Sequence, residues 1–404
     1  MVSDPGELIE YGLRRVLLTI TVISASLLEL IDTTVVNVAL PTIQGNLGAD
    51  FSEGTWIVTS YVVANAIVIP INPWLQLRFG RRNYYTASII AFTIASFLCG
   101  IATSLDELVA FRVLQGLAGG GLIATGQAIL ADIYPRSEQG KAQGFFSIGV
   151  IMGPALGPLI GGWLTDNASW RWAFFINLPI GIAAALLAGS LMRDGRRRIV
   201  PVDTAGALLL VAGLGSLQLV LDRGQIKDWF SDAGIAASAA LAVVALLAFV
   251  VWELRARYPI VNLRALALRP VWLGTLLSAG VGFVLFGIVI LVPQFVQSQL
   301  GFTATQSGQL FLIQAGASFV ATPISIVLFR RGFVQPRYQV VGGFVLFALS
   351  AWMLIRVEST TADFGAFVLP LIVSGLGISQ LFVPITISTL GQVPRDLTSV
   401  ASAY

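Results

Sequence analysis

The chain has 404 residues, of which 56% are hydrophobic and 11% charged, with a mean hydropathy of +0.84. So few charges cannot cover a soluble protein of this size, which leaves a polytopic membrane protein. The net charge of +3 comes from short basic clusters between apolar runs, a topological pattern and not a nucleic-acid one. With no histidine and a single cysteine, Cys99, there is no usual metal-ligand set, no disulfide framework and no Ser-His or Cys-His pair, so neither an enzyme nor a metal site is expected.

A membrane span needs about 20 apolar residues. Twelve such stretches follow in order, at 16–38, 55–76, 83–103, 108–131, 141–163, 172–192, 204–221, 233–252, 271–293, 306–328, 338–355 and 364–388. The N-terminus carries Asp4, Glu7 and Glu10 ahead of Arg14 and Arg15 and does not read as a cleavable signal peptide; the run after it is long enough to span. With the N-terminus in the cytoplasm, Arg171, Arg223, Lys227 and Arg356 fall outside and Arg112 lies within a span. The other nineteen of the 24 basic residues then fall on the cytoplasmic side, a strong positive-inside bias.

Span 1 carries two acids, Glu29 and Asp32, in its outer half. Spaced i,i+3, they lie on one face of a helix. A carboxylate at membrane depth costs about 2.5 kcal/mol or more and therefore faces a cavity or a partner. Two such groups close together resist joint ionisation, the chemistry a proton-coupled carrier needs. The plainer alternative is a buried pair that only hydrogen-bonds a neighbouring helix. Span 4 runs inward from about Leu108, which puts Arg112 at a comparable depth, so a pairing of Arg112 with Asp32 or Glu29 is expected, against snorkelling to the outer interface.

Small residues recur every four positions in two spans: Gly116, Gly120, Ala124 and Ala128 in span 4, and Gly149, Gly153, Gly157 and Gly161 in span 5, with Pro154 and Pro158 beside them. Such faces let membrane helices approach closely. In span 5 they either pack tightly or, with the prolines, make a kinked, dry seal between two halves. The basic segment from Arg193 to Arg198 closes the first six spans as a cytoplasmic anchor. Spans 7 and 8 carry few polar residues and read as a peripheral pair, and Trp229, Trp252 and Trp272 near span ends read as interface residues. Phe283 and Phe286 suit a lipid-facing position, as do Phe145 and Phe146, with a cavity lining as the alternative. Candidate cavity residues are Asn37, Asn65, Gln115, Gln294 and Gln314, with Pro293 and Pro323 breaking spans 9 and 10. Local helix–helix hydrogen bonding is the alternative for these polar groups.

Several motifs together carry a resemblance. Ile31-Asp32-Thr33-Thr34-Val35-Val36-Asn37-Val38-Ala39-Leu40-Pro41 in span 1, Phe111-Arg112-Val113-Leu114-Gln115-Gly116 in span 4, Gly153-Pro154-Ala155-Leu156-Gly157-Pro158-Leu159-Ile160-Gly161-Gly162 in span 5 and Trp170-Arg171-Trp172-Ala173-Phe174-Phe175-Ile176-Asn177-Leu178-Pro179-Ile180-Gly181 leading into span 6 are similar to those of the major facilitator superfamily. The chain resembles in particular its fourteen-helix drug:proton antiporter branch, the EmrB/QacA type. The resemblance implies an all-α membrane fold of two pseudo-symmetric six-helix bundles plus an inserted helix pair. The expected division is 1–192 for the first bundle, 193–203 for a basic linker, 204–252 for the inserted pair and 253–404 for the second bundle, with only four of its helices present. It implies proton-coupled multidrug efflux by alternating access across a bacterial inner membrane, with Asp32, Glu29 and Arg112 in proton coupling and substrate binding. It implies no cofactor beyond the coupling proton, contact with lipid but not nucleic acid, and, in a double-membrane cell, a membrane-fusion adaptor and an outer-membrane channel as partners. Proton symport of a metabolite and a non-transporting membrane partner protein are the alternatives.

Two departures stand out. Where the family's loop between spans 2 and 3 reads Gly-x-Leu-Ala-Asp-Arg-x-Gly-Arg-Arg/Lys, this chain has Pro73-Trp74-Leu75-Gln76-Leu77-Arg78-Phe79-Gly80-Arg81-Arg82. Pro73 and Leu77 replace the glycine and the aspartate; Arg78, Gly80 and Arg81 remain, and Asp132 at the inner end of span 4 is available to an arginine. This set, with the span 5 glycines and prolines, is expected to gate the transporter, with the latch in an altered form. Glu29 is an additional acid. The run from Pro394 to Ala401 is similar to the linker before the family's last two helices, so a truncated chain is expected.

Overall fold

In a computed structural model of the chain, the described residues are 9–135, 138–193, 201, 203–257, 259–261, 263–330, 334–357 and 362–390. They are helices joined by short turns: α1 Gly12–Leu47, α2 Phe51–Phe79, α3 Arg81–Ile101, α4 Leu105–Gly119, α5 Leu122–Ile133, α6 Gln139–Asn167, α7 Trp172–Phe175, α8 Asn177–Leu191, α9 Thr204–Arg223, α10 Ala233–Arg255, α11 Arg269–Ser298, α12 Ala304–Arg330, α13 Pro336–Val357 and α14 Phe364–Leu390. Each of the twelve expected stretches is helical, and ten stretches among the described residues are long and apolar enough to cross a membrane.

The turns follow local chemistry. Gly48 ends α1 in a left-handed conformation (φ 65°). Asp50 then starts α2 with a reciprocal capping box, its carboxylate accepting from the Glu53 N–H at 2.7 Å while the Glu53 carboxylate accepts from the Asp50 N–H at 3.2 Å. Ser104, Asp203 and Asp232 cap α4, α9 and α10 one way, each side chain accepting a first-turn backbone N–H. Gly80 (φ 86°) turns α2 directly into α3.

Two spans are interrupted. Span 4, expected as one helix, stops at Gly119 and restarts at Leu122, and span 6 is split into α7 and α8 at Ile176. The break in span 4 takes Gly120 out of line with Ala124 and Ala128, so its small residues do not form one continuous face. The glycines before the break sit on the α2 backbone: a Cβ on Gly116 would overlap the Tyr61 carbonyl, and one on Gly120 the Asn65 carbonyl.

The chain forms two compact units that do not follow chain order. The first comprises Met1–Glu29, Ile43–Val150 and Phe174–Leu263, with a core built from Leu18, Val22, Leu28, Tyr61, Tyr85, Phe92 and Leu122. Within it, α9 and α10 pack on one another and touch the remainder through α2, where Thr59 donates to Asp222 at 3.0 Å and Arg223 lies over the Trp56 ring. That is the peripheral placement expected of spans 7 and 8. The second unit comprises Leu30–Thr42, Ile151–Ala173 and Arg264–Tyr404, with Val296, Leu310, Phe311, Phe347, Leu371 and Leu381 at its centre. Trp229, Trp252 and Trp272 are partly exposed, and Phe283 is 84% exposed, as lipid-facing positions require, whereas Phe146 is buried in the first unit's core. The residues of the basic linker after Arg193 up to Val200, and the end of the chain from Gly391, lie outside the described residues, as do the side chains of Phe145, Gly149 and Pro154.

Candidate functional site

In the first unit, the acid at Glu29 is buried and fully engaged. It accepts from the Asn65 amide at 2.8 Å and from the Ile123 backbone N–H at 3.3 Å. Ile123 lies in the first turn of α5, so the break after Gly119 creates a helix N-terminus and Glu29 supplies the carboxylate that helix ends favour. Asn65, expected as a cavity residue, holds this acid in place.

Arg112 is fully buried and does not snorkel. Its Nε donates to the Ile57 carbonyl at 2.9 Å and its Nη1 to Gln115 Oε1 at 2.7 Å. The guanidinium lies 4.1 Å from the Tyr61 ring centroid and 5.8 Å from that of Phe174. Gln115 also accepts from the buried Cys99 thiol at 3.5 Å. An arginine can occupy such a site because its planar fork satisfies several acceptors while its face stacks on rings.

At the far end of α2, Arg81 forms an ion pair with Asp132 in the last turn of α5 and donates through Nε to Gln76 at 3.1 Å. The altered loop motif thus keeps an arginine–carboxylate contact. Gln76 provides a second acceptor for Arg81, and Leu77 is exposed. Arg78 is exposed and makes no ion pair among the described residues. Sequence reasoning passed over Gln76 and its neighbours Asn72 and Thr125. Gln76 donates to Asn72 Oδ1 at 3.0 Å and to Thr125 Oγ1 at 3.1 Å. Their trace in the sequence is two amide side chains four residues apart in an otherwise apolar span.

In the second unit, Asp32 is fully buried in the Leu30–Thr42 part of α1. The glycine face of α6 lies directly on this segment. A Cβ on Gly153 would press on the Leu30 side chain, one on Gly157 would overlap Thr34 Oγ1, and one on Gly161 would meet the Val35 backbone at 3.0 Å. Thr34 is itself pinned, donating to Leu30 O at 2.9 Å and Ile31 O at 3.1 Å. On another face of α6, Gly162 lies against the Ala304 carbonyl of α12, and Gly308 of α12 lies against the Pro158 carbonyl of α6. Helix α6 is thereby seated on both α1 and α12, with Pro158 inside the contact. Gln297 on α11 donates to the Val38 carbonyl at 3.0 Å.

The remaining cavity candidates divide. Gln314 donates to Ser374 at 2.7 Å, a bond between α12 and α14. Asn37 and Gln294 are buried, and neither side-chain amide has a hydrogen-bond partner among the described residues. The unpredicted Asp166, at the end of α6, accepts from the Ala304 N–H at 3.3 Å, the Thr305 N–H at 2.7 Å and the Thr305 hydroxyl at 2.5 Å, at the N-terminus of α12.

Residues 22–404 match the family profile described as Major Facilitator Superfamily. The chain is 39% identical over 398 residues to the Multidrug export protein EmrB of Escherichia coli (strain K12), covering 97% of this chain and 77% of that protein. It is 36% identical over 383 residues to the Fatty acid resistance protein FarB of Neisseria gonorrhoeae, covering 94% and 75%. Among solved structures, the xylose transporter XylE from E. coli, in a partially occluded inward-open conformation, superimposes with a TM-score of 0.65. That match covers 97% of this chain and 88% of the other at 16% identity, so it speaks to the fold alone. The family and these relatives are transporters, not enzymes.

Proposed function

Because the chain belongs to the Major Facilitator Superfamily, we propose that it is a multi-pass exporter of small amphipathic compounds driven by the proton gradient. The observation that carries this reading is the glycine face of α6 seated on the α1 segment that bears Asp32. A dry helix–helix contact over a buried carboxylate is what an antiporter needs: it keeps one side closed to proton leakage while the acid exchanges proton for cargo. Asp32 is the carboxylate at which proton and substrate compete. Asn37 and Gln294 supply unpaired hydrogen-bonding groups for cargo. The N-terminus lies in the cytoplasm, as the distribution of Lys and Arg supports, and the membrane is the inner one. The first bundle, inserted pair and second bundle divide near 192, 204 and 253. No cofactor is required; the coupling ion is the proton. The EmrB name borne by one relative supports drug-like cargo, and the FarB name extends the panel to fatty acids. In a double-membrane cell a membrane-fusion adaptor and an outer-membrane channel would complete the path.

The test is proton flux in proteoliposomes with an imposed pH gradient, challenged with lipophilic cations, neutral drugs and a long-chain fatty acid. Proton movement opposite to substrate, lost in Asp32→Asn, is the expected result. Flux in the same direction would make the protein a symporter, and undiminished flux in Asp32→Asn would remove that residue from coupling.

A further inference from the structure

Helix α5 is held at both ends by side chains from other helices of the first unit. At its start, the break in span 4 leaves the Ile123 N–H without a helical partner, and Glu29 of α1 receives it. The Gly121 carbonyl, which accepts the Thr125 N–H as the first bond of α5, also accepts from Asn72 of α2 at 3.4 Å. Thr125, one turn further, donates to Asn72 Oδ1 at 3.0 Å. Gln76 bonds both Asn72 and Thr125 and, through its carbonyl oxygen, accepts from Arg81. Arg81 pairs with Asp132, in the last turn of α5. A hydrogen-bonded path therefore runs from Glu29 through the break and Gln76 to the ion pair at the opposite end of the same half-helix. Asn72 and Thr125 are buried.

Amide side chains are poor proton relays, so this path is not a proton wire. It is suited to transmitting position. An ionised Glu29 holds the α5 N-terminus by charge and hydrogen bond; a protonated one holds it less well, because the interaction with the helix dipole is lost. Gly119, Gly120 and Gly121 leave the break free of side chains, and Gly121 lies against Tyr84 and Asn72, where no larger residue would fit.

We propose that α5 is a switch element whose seating reports the charge on Glu29 to the Arg81–Asp132 ion pair, with Gln76 as the positioning residue that joins the two. The proposal rests on the proton-coupled reading above: Asp32 is the exchange site, and Glu29 carries the signal to the cytoplasmic latch. It also accounts for the departure at Leu77, since Gln76 now bonds the arginine from the position just before the missing acid. The titratable groups around Glu29 are Tyr84 and Tyr85 on α3, close enough to feel its charge, and Asp32 one turn along α1. Arg112 lies on α4 before the break, and α2 presents the neutral Asn65.

The test is amide hydrogen exchange across residues 122–133 in the detergent-solubilised full chain, expressed as protection relative to intrinsic rates, between pH 5 and 8. It needs no substrate and no transport, so its failure is separate from failure of the export reading. In the wild type, protection of the segment should fall at least tenfold toward low pH. Glu29→Gln should show the low-pH value throughout, without pH dependence. Gln76→Leu should keep the pH response near Ile123 and lose it near Ile133, and Gln76→Glu, which retains an acceptor for Arg81 but loses the amide donor to Asn72 and Thr125, should lose it there as well. A segment whose protection is independent of pH in the wild type would overturn the proposal without recourse to any variant. A response near Ile133 that survives Gln76→Leu would remove Gln76 from the path.

Discussion

At the scale of single residues, the buried polar groups differ in how completely they are satisfied. Arg112 has a carbonyl, an amide and two rings around it, an environment built to hold a charge away from water. Asn37 is as deeply placed, 2% exposed, and makes no side-chain hydrogen bond among the described residues. A buried amide left unpaired costs about 1–3 kcal/mol, and replacing it by an apolar group of similar shape removes that cost. Function is the reason to retain such a group. Asn37→Leu should therefore raise the melting temperature in detergent by a few degrees while lowering substrate-driven proton flux at least tenfold. A variant that melts lower and transports normally would mean Asn37 is structural and has no part in binding. The same opposition of stability and activity separates Gln294 from Gln314, which has a partner in Ser374.

At the scale of helices, the glycines of α6 illustrate what a sequence does and does not display. Spacing of four announces a small face, and twelve apolar runs of spanning length announce the helices. Neither says which neighbour the face meets. That depends on pairings between segments more than a hundred residues apart, such as Gly157 with Thr34. The break in span 4 was hidden for a different reason: the composition stays apolar across Gly119–Gly121, so length and hydropathy read straight through it, and only the Glu29 cap marks a new helix start. The acids, Arg112 and the glycines of α6 were conspicuous because charge and missing side chains stand out in an apolar span; Asp166 was not, since a single polar residue near a helix end carries no spacing pattern, and the Asn72–Gln76 spacing of four does not say which helix the two amides meet. Contrasting glycines test the packing argument. Gly157→Ala forces a methyl into Thr34 Oγ1, which is already fixed by two carbonyls, and overpacking of this kind costs about 1–3 kcal/mol. Gly45, also helical, has nothing within 4 Å of an added Cβ, so Gly45→Ala should instead stabilise by about 0.5–1 kcal/mol through helix propensity. Thermal melts of the two variants should move in opposite directions, with transport impaired only in Gly157→Ala; shifts of the same sign would mean the α6–α1 contact yields more easily than its geometry implies.

At the scale of the whole molecule, alternating access requires that some contacts between helices be made in one state and broken in another, and that neither state be far more stable. The contact of α6 with α12 in the second unit has the right construction. Gly162 and Gly308 bring the backbones together, but apolar closeness alone is no switch. Asp166 adds a polar clasp, three hydrogen bonds to the first turn of α12, where Thr303 and Gln306 already cap each other at 2.9 and 3.1 Å. The clasp is therefore supplementary to the helix cap: losing it leaves α12 intact and loosens only its hold on α6. A carboxylate at a helix N-terminus is worth about 0.3–1 kcal/mol, which corresponds to a roughly two- to fivefold shift in a two-state population. Ser307, buried one turn into α12, is a suitable reporter, and the single native cysteine can be replaced by the isosteric serine. In a Cys99→Ser, Ser307→Cys background, a membrane-impermeant maleimide applied from outside should label the site slowly. Adding Asp166→Asn, which keeps the size but loses the charge, should raise the labelling rate two- to fivefold, and saturating substrate should change both rates in the same direction. Equal rates with and without the aspartate charge would leave the glycine crossing, and not the clasp, as what holds this end shut.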